Sequence, residues 1–215
     1  MKILDSRLYR LAETITNYFL LNLLWALLSL PLLTVYPATV ALFSVLRTWR
    51  VGDSAEIVGP FFAAFRAKLG QSLLLGLGWT AIGIVLGVDL LASRQIPGAL
   101  ALPVLVALGL ITLLYCQLSV FLFPTIAHIR TTPPGVVRNA FLLALSQPFL
   151  SLFAALGLIA LALAAYFLPF LPLLFASPVA YGLDALFRRG VARFAPGGLS
   201  GAIEELNAPD DEIVD

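Results

Sequence analysis

A few side chains carry acid–base or hydrogen-bonding chemistry into stretches that are otherwise apolar: Asn22, Asp89, Cys116, His128 and Asp184. Asp89 is the one carboxylate well inside an apolar run, and an ionisable group at that depth in a membrane is a functional candidate by default. Arg94 follows five residues later, so the expectation for Asp89 is an ion pair near one end of a span. Asp184 and Arg188 stand one helical turn apart, the spacing of a local i,i+4 pair. His128 is the single histidine, and proton transfer by it would require a positioned partner and a substrate pocket. No motif around it supplies either, so it reads as an interfacial histidine. Asn22 lies mid-run, where an amide usually bonds across helices, and Gln117 and Gln147 carry the same expectation. Cys116, alone of its kind, reads as a small buried apolar group. A His/Cys metal cluster is excluded within one chain, and neither a phosphate-cradling glycine loop nor a nucleophile motif occurs. The expectation is a protein that is not an enzyme, with no cofactor and no metal.

What must position these residues follows from composition. Of the 215 residues, 60% are hydrophobic and 12% charged, and the mean hydropathy is +0.99. Soluble domains run at about 45–50% apolar and about 25% charged, so this chain belongs in a bilayer. Six of the twelve acids, Glu204, Glu205, Asp210, Asp211, Glu212 and Asp215, fall at the end of the chain. The body is therefore basic and residues 195–215 read as a flexible acidic tail. Charged residues before the first apolar run, Asp5, Arg7, Arg10 and Glu13, argue against a cleaved signal, so the first helix is expected to be retained.

Lys2, Arg7 and Arg10 alternate with apolar residues over 1–13, which suits a segment lying at the membrane surface. From Thr14 to Leu46 no charge occurs, and Pro31 and Pro37 mark a break into two short helices. For the second of these, re-entry into the membrane is the alternative to spanning. Phe61, Phe62 and Phe65 share a helical face beside Arg66 and Lys68, which gives an interfacial amphipathic helix over about 54–69 beginning at Asp53 and Glu56. It is a candidate contact for a partner or for anionic lipid. Gly83 and Gly87 in the next run form a small-xxx-small pair. Pro103 is a candidate kink, Thr131 to Gly135 a loop, and Pro169 and Pro172 a turn between the last two helices. The spacing predicts an all-α polytopic transmembrane protein. Its six spans, at about 14–32, 36–48, 70–91, 98–125, 148–168 and 172–188, form three hairpins in one domain over residues 1–194.

A pattern recurs three times: a proline after a long apolar run, then a short apolar helix closed by arginine. Pro37 to Arg47, Pro124 to Arg130 and Pro178 to Arg188 are the three copies. With three hairpins, every cation except Arg94 lies on one face, a positive-inside bias that makes both termini cytoplasmic in a bacterial inner membrane.

Leu8-Tyr9-Arg10, Leu21-Asn22-Leu23-Leu24-Trp25, Ser29-Leu30-Pro31, Pro37-Ala38-Thr39 and Phe61-Phe62-Ala63-Ala64-Phe65 occur in that order, followed by Phe123-Pro124 and Asn139-Ala140-Phe141-Leu142. This succession, over about residues 3–190, resembles the YesL family of small bacterial membrane proteins, a domain of unknown function. Tyr36 departs from the family pattern, which has glycine before Pro-Ala-Thr. Members are often encoded beside carbohydrate-import ABC transporters, and the family is loosely transport-associated. The resemblance thus implies a non-enzymatic accessory of carbohydrate ABC import. Its partners would be the lipid bilayer, ABC permease subunits or further copies of itself, and no nucleic acid. A self-sufficient small-solute permease or channel is the alternative, and a membrane enzyme ranks below both.

Overall fold

Proline placement divides the apolar sequence into helices. In the computed structural model, which describes residues 2–51, 56–168 and 170–194, α1 runs Lys2–Ser29 and stops ahead of Pro31, whose ring and missing N–H cannot continue a helix. A single 3-10 turn, Leu32–Thr34, reverses the chain, with the Thr34 hydroxyl donating to the carbonyls of Pro31 and Leu28. Helix α2 then runs Val35–Val51. Pro37 sits in its first turn, where the N–H has no helical acceptor in any case. Trp25 Nε1 donates to Thr39 Oγ1 at 3.1 Å and fastens α1 to α2. The acidic tail 195–215, Asp53 and Pro169 lie outside the described residues, as do the side chains of residues 2–11 with Lys2, Arg7 and Arg10.

Helix α3, Val58–Ser93, joins what the sequence divides into an interfacial helix and a span. Its 36 residues cover about 54 Å at ~1.5 Å each, against a ~30 Å hydrocarbon core. Gly70 does not break it. One glycine costs a helix about 1 kcal/mol, and Phe61 and Phe65, both buried, hold the first turns against the body. Helix α4 spans Ala101–His128. Pro103 lies in its first turn, where it satisfies the helix start and produces no kink, while Pro124 stands inside the last turns.

Helix α5, Pro133–Ser146, begins within the stretch expected to be loop, because Pro133 and Pro134 occupy first-turn positions that favour proline. Val136, Asn139, Ala140, Leu143 and Ala144 are its buried residues, the spacing of a single helical face. Gln147 breaks the chain before α6, Pro148–Phe167, and α7, Leu171–Phe194, follows with Pro178 inside it.

All described elements are helical. Four stretches have the length and apolar character to cross a membrane: Leu32–Trp49, Val58–Ser93, Gly98–His128 and Pro148–Phe167. Helices α1 and α7, counted as spans from sequence, are not among the four. Polar residues such as Asn17 and Asn22 in α1, and Asp184, Arg188 and Arg189 in α7, dilute their apolar character. Helix α2 is the centre of the fold, with Ala38, Val40, Ala41, Leu42, Phe43, Val45 and Leu46 all buried against α1, α3, α4 and α7. A second apolar cluster joins α4, α5, α6 and α7 through Phe121, Leu143, Ala155 and Phe187. Between Leu77 and Gln117, by contrast, Ser93 alone is buried, so the far half of the α3–α4 hairpin stands clear of the rest.

Candidate functional site

The polar chemistry converges at the end of the molecule where α2 and α4 finish. Pro124 brings α4 to His128 in its last turn, and His128 is fully enclosed. Its Nδ1 lies 2.8 Å from the Pro124 carbonyl oxygen, which can only accept, so that nitrogen carries hydrogen. On the other side of the ring, Nε2 lies 2.7 Å from Asp184 Oδ1, off the axis of a well-formed hydrogen bond. Both nitrogens thus face oxygen atoms. Asp184 is itself fully buried, and its second oxygen lies 3.4 Å from Arg188 Nε. Phe187, one position before Arg188, stacks at a tilt on the imidazole with centroids 4.8 Å apart. One carboxylate therefore sits between an arginine of its own helix and a histidine from 56 residues earlier in the chain.

The cluster backs onto an open cleft. A cavity of about 300 Å³ lies between α2, α3 and the end of α4, and His128 forms part of its wall. Arg47 and Thr48 come from the last turns of α2, Lys68 from α3, and Arg130 from just beyond α4, with Pro60, Ala63, Ala64 and Ala67 as the small residues that leave the space. The three recurring proline-to-arginine segments thus meet here: the first and second contribute Arg47, His128 and Arg130, and the third holds His128 through Asp184. They are not structurally equivalent. Pro37 opens a helix, Pro124 nears the end of one, and Pro178 lies inside one.

The matching family model, described as a protein of unknown function, DUF624, covers residues 18–90. The YteU protein of Bacillus subtilis (strain 168), itself described as uncharacterized, is 31% identical over 168 residues, 76% of this chain and 73% of YteU. The chain belongs to the DUF624 family. The uncharacterized YesL protein of the same organism is 33% identical over 142 residues, and the match covers 64% of this chain and 66% of YesL. No solved structure matches.

In this DUF624 chain the family segment 18–90 contains α2 and most of the core around it, including Leu21, Ala38 and Phe61. The aromatic face expected to meet a partner or lipid is largely used up there. Phe61 is 0% and Phe65 9% exposed, both in the core with α2, and only Phe62 reaches the surface at 36%. Arg66 is exposed beside it, whereas Lys68 turns to the cleft. Asp89 is exposed on α3 and makes no ion pair with Arg94, because five residues of helix at 3.6 per turn set the two positions well apart around the axis.

Asn22 bridges α1 and α7. Its Nδ2 donates to the Leu174 carbonyl at 3.0 Å, and its Oδ1 accepts from the Ser177 N–H at 2.7 Å and from the Ser177 hydroxyl. Replacing Asn22 by leucine leaves that N–H without its side-chain acceptor and is expected to cost about 1–2 kcal/mol, read as a lower melting temperature in detergent. Gln147 Nε2 donates across to the Leu186 carbonyl at 2.7 Å and Arg193 to the Ser146 carbonyl at 2.7 Å, so α5 and α7 are tied at this same end. The signal for the His128–Asp184 contact was present in the sequence only as two uncommon residues in apolar runs. Nothing in their spacing pairs them.

Proposed function

We propose that this protein is a non-enzymatic accessory subunit of a carbohydrate-importing ABC system in a bacterial cytoplasmic membrane, with both termini cytoplasmic, acting through helix contacts within the bilayer. The observation that carries the reading is the far half of the α3–α4 hairpin. It is long and apolar, and away from the seam where α3 and α4 pack on each other it is exposed, with Leu77, Ile84, Val88, Leu105 and Leu110 uncovered. Gly78, Gly87 and Gly109 have nothing within 4 Å of where a side chain would begin, so another helix can approach the backbone closely there. The polar groups between helices, by contrast, bond one another. Tyr36 meets Thr80, Trp79 donates to Ser119, and Tyr115 donates to the Trp79 carbonyl, which leaves these groups engaged in packing and not facing a solute route. The link to carbohydrate import comes from the family resemblance.

The test is capture of the tagged full chain from native membranes in mild detergent, with mass spectrometry of what accompanies it. Stoichiometric ABC permease subunits are expected, and Gly87→Leu with Gly109→Leu should reduce their recovery at least fivefold without lowering the amount of the chain itself. Recovery of the chain alone or as a homo-oligomer would overturn the accessory reading in favour of an independent permease or channel, for which reconstituted flux is the assay.

A further inference from the structure

Helices α2 and α6 each pack on α4 and α7, and where the two part along α7 an open slot of about 160 Å³ remains. Leu42 and Phe43 of α2, Leu158 and Leu161 of α6, and Ala176 and Ala180 of α7 line it, and the two alanines, one helical turn apart, leave the room. Trp25 and Thr39 also border the slot, but their polar atoms are already engaged. The indole Nε1 donates to Thr39 Oγ1 at 3.1 Å, and that hydroxyl donates in turn to the Val35 carbonyl at 2.7 Å. No charged side chain is among the described residues that line it, so a polar ligand entering here would give up its hydrogen bonds to water and gain none. An apolar cavity of about 150 Å³ stays dry and is filled by a molecule the size of benzene, so this slot suits a short stretch of hydrocarbon. A helix, at least ~10 Å across with its side chains, is too wide to enter it. Both α2 and α6 belong to stretches long and apolar enough to cross a membrane, where hydrocarbon lies against their outer faces.

We infer that the slot holds one acyl chain of a membrane lipid, seated against Ala176 and Ala180 with the Trp25 ring beside it. The bilayer interior is as apolar as the slot, so the gain on entry is contact and not transfer out of water. Side chains that border an empty space lack dispersion partners on that side, and a chain of methylenes supplies them. Recognition of this kind reads the shape of the chain and is indifferent to the headgroup. The inference is independent of the accessory role, which rests on the far half of the α3–α4 hairpin, and survives its failure.

The experiment uses the purified full-length chain in detergent micelles doped with phosphatidylcholine brominated at mid-chain, since bromine quenches tryptophan fluorescence on contact. The part of the quenching that Trp25→Phe removes is the share due to this ring. That share is expected to saturate at one brominated lipid per chain, and to do so equally with brominated phosphatidylglycerol. Ala176→Leu places a side chain in the slot and should weaken the saturating component at least fivefold, with its melting temperature read in parallel to show that it is folded. Val179→Phe, from the same lining, serves if that variant does not purify. Quenching of Trp25 that is absent, that rises in proportion to the brominated fraction without saturating, or that both substitutions leave unchanged overturns the inference. A lipid-free dimer in native mass spectrometry, with Trp25 protected from bromine, overturns it in favour of a side chain from a second copy.

Discussion

Asp184→Leu is expected to destabilise the protein by about 3–5 kcal/mol, the range found when one member of a buried charge cluster is removed. Asp184 and His128 are both fully enclosed at 2.7 Å, and Arg188 approaches the other carboxylate oxygen at 3.4 Å. Deleting the carboxylate leaves the imidazole ring and a largely covered guanidinium facing each other across an apolar gap between α4 and α7. Arg188→Met is expected to cost less, about 1–2 kcal/mol, because its side chain is 27% exposed and water already satisfies part of it. The pairing has a sharper signature in combination. Adding His128→Leu to Asp184→Leu removes the stranded ring and fills the space with apolar volume, so the double variant should recover at least half of the loss. Melting in detergent, followed by size-exclusion chromatography with fluorescence detection, reads all three. Losses that simply add would mean that the two residues do not act as a pair.

That cluster also marks where sequence reading stops. The first helix break was legible because prolines at 31 and 37 fall where helices end and begin, and the Asp184–Arg188 contact was legible because i,i+4 neighbours meet on any helix. The His128 partner was not, since it depends on how α4 and α7 pack. Phe61 and Phe65 show the converse. Their spacing reads as one amphipathic face, but amphipathicity says only that a face is covered, and for Phe61 and Phe65 it is α2 that covers it. The same ambiguity fused two expected elements into α3, because a charged first third looks like a surface helix whether or not it continues inward. For Gly83 and Gly87 the motif was half right. A side chain at Gly83 would begin 2.5 Å from the Tyr115 hydroxyl, whereas at Gly87 it would meet nothing.

The largest packing effect belongs to a pair no motif joins, Tyr36 and Gly76. The Tyr36 ring lies across α3 so closely that a Cβ at residue 76 would stand 2.3 Å from its Cγ, 2.4 Å from its Cδ1 and 2.9 Å from its Cβ. The ring cannot yield: its other face stacks on Phe123 at 6.2 Å between centroids, and its hydroxyl lies 2.8 Å from Thr80 Oγ1. Tyr36 also lies in the first turn of the α2 helix that the core surrounds, so its backbone has little freedom to move. Gly76→Val is therefore expected to cost about 3 kcal/mol or more, at the upper end of overpacking, and Gly76→Ala about 1–3 kcal/mol. Tyr36→Gly alone loses the stack and the hydroxyl contact, about 2–3 kcal/mol for a half-buried ring. Combined with Gly76→Ala it creates the space the methyl group needs, so the double variant should be more stable than the sum of the singles by at least 1 kcal/mol. The coupling follows from space alone, because a chain with glycine at position 36 has room for a side chain at 76. Additive single effects in the same melting assay would show that α2 and α3 approach each other less closely than 2.3 Å implies.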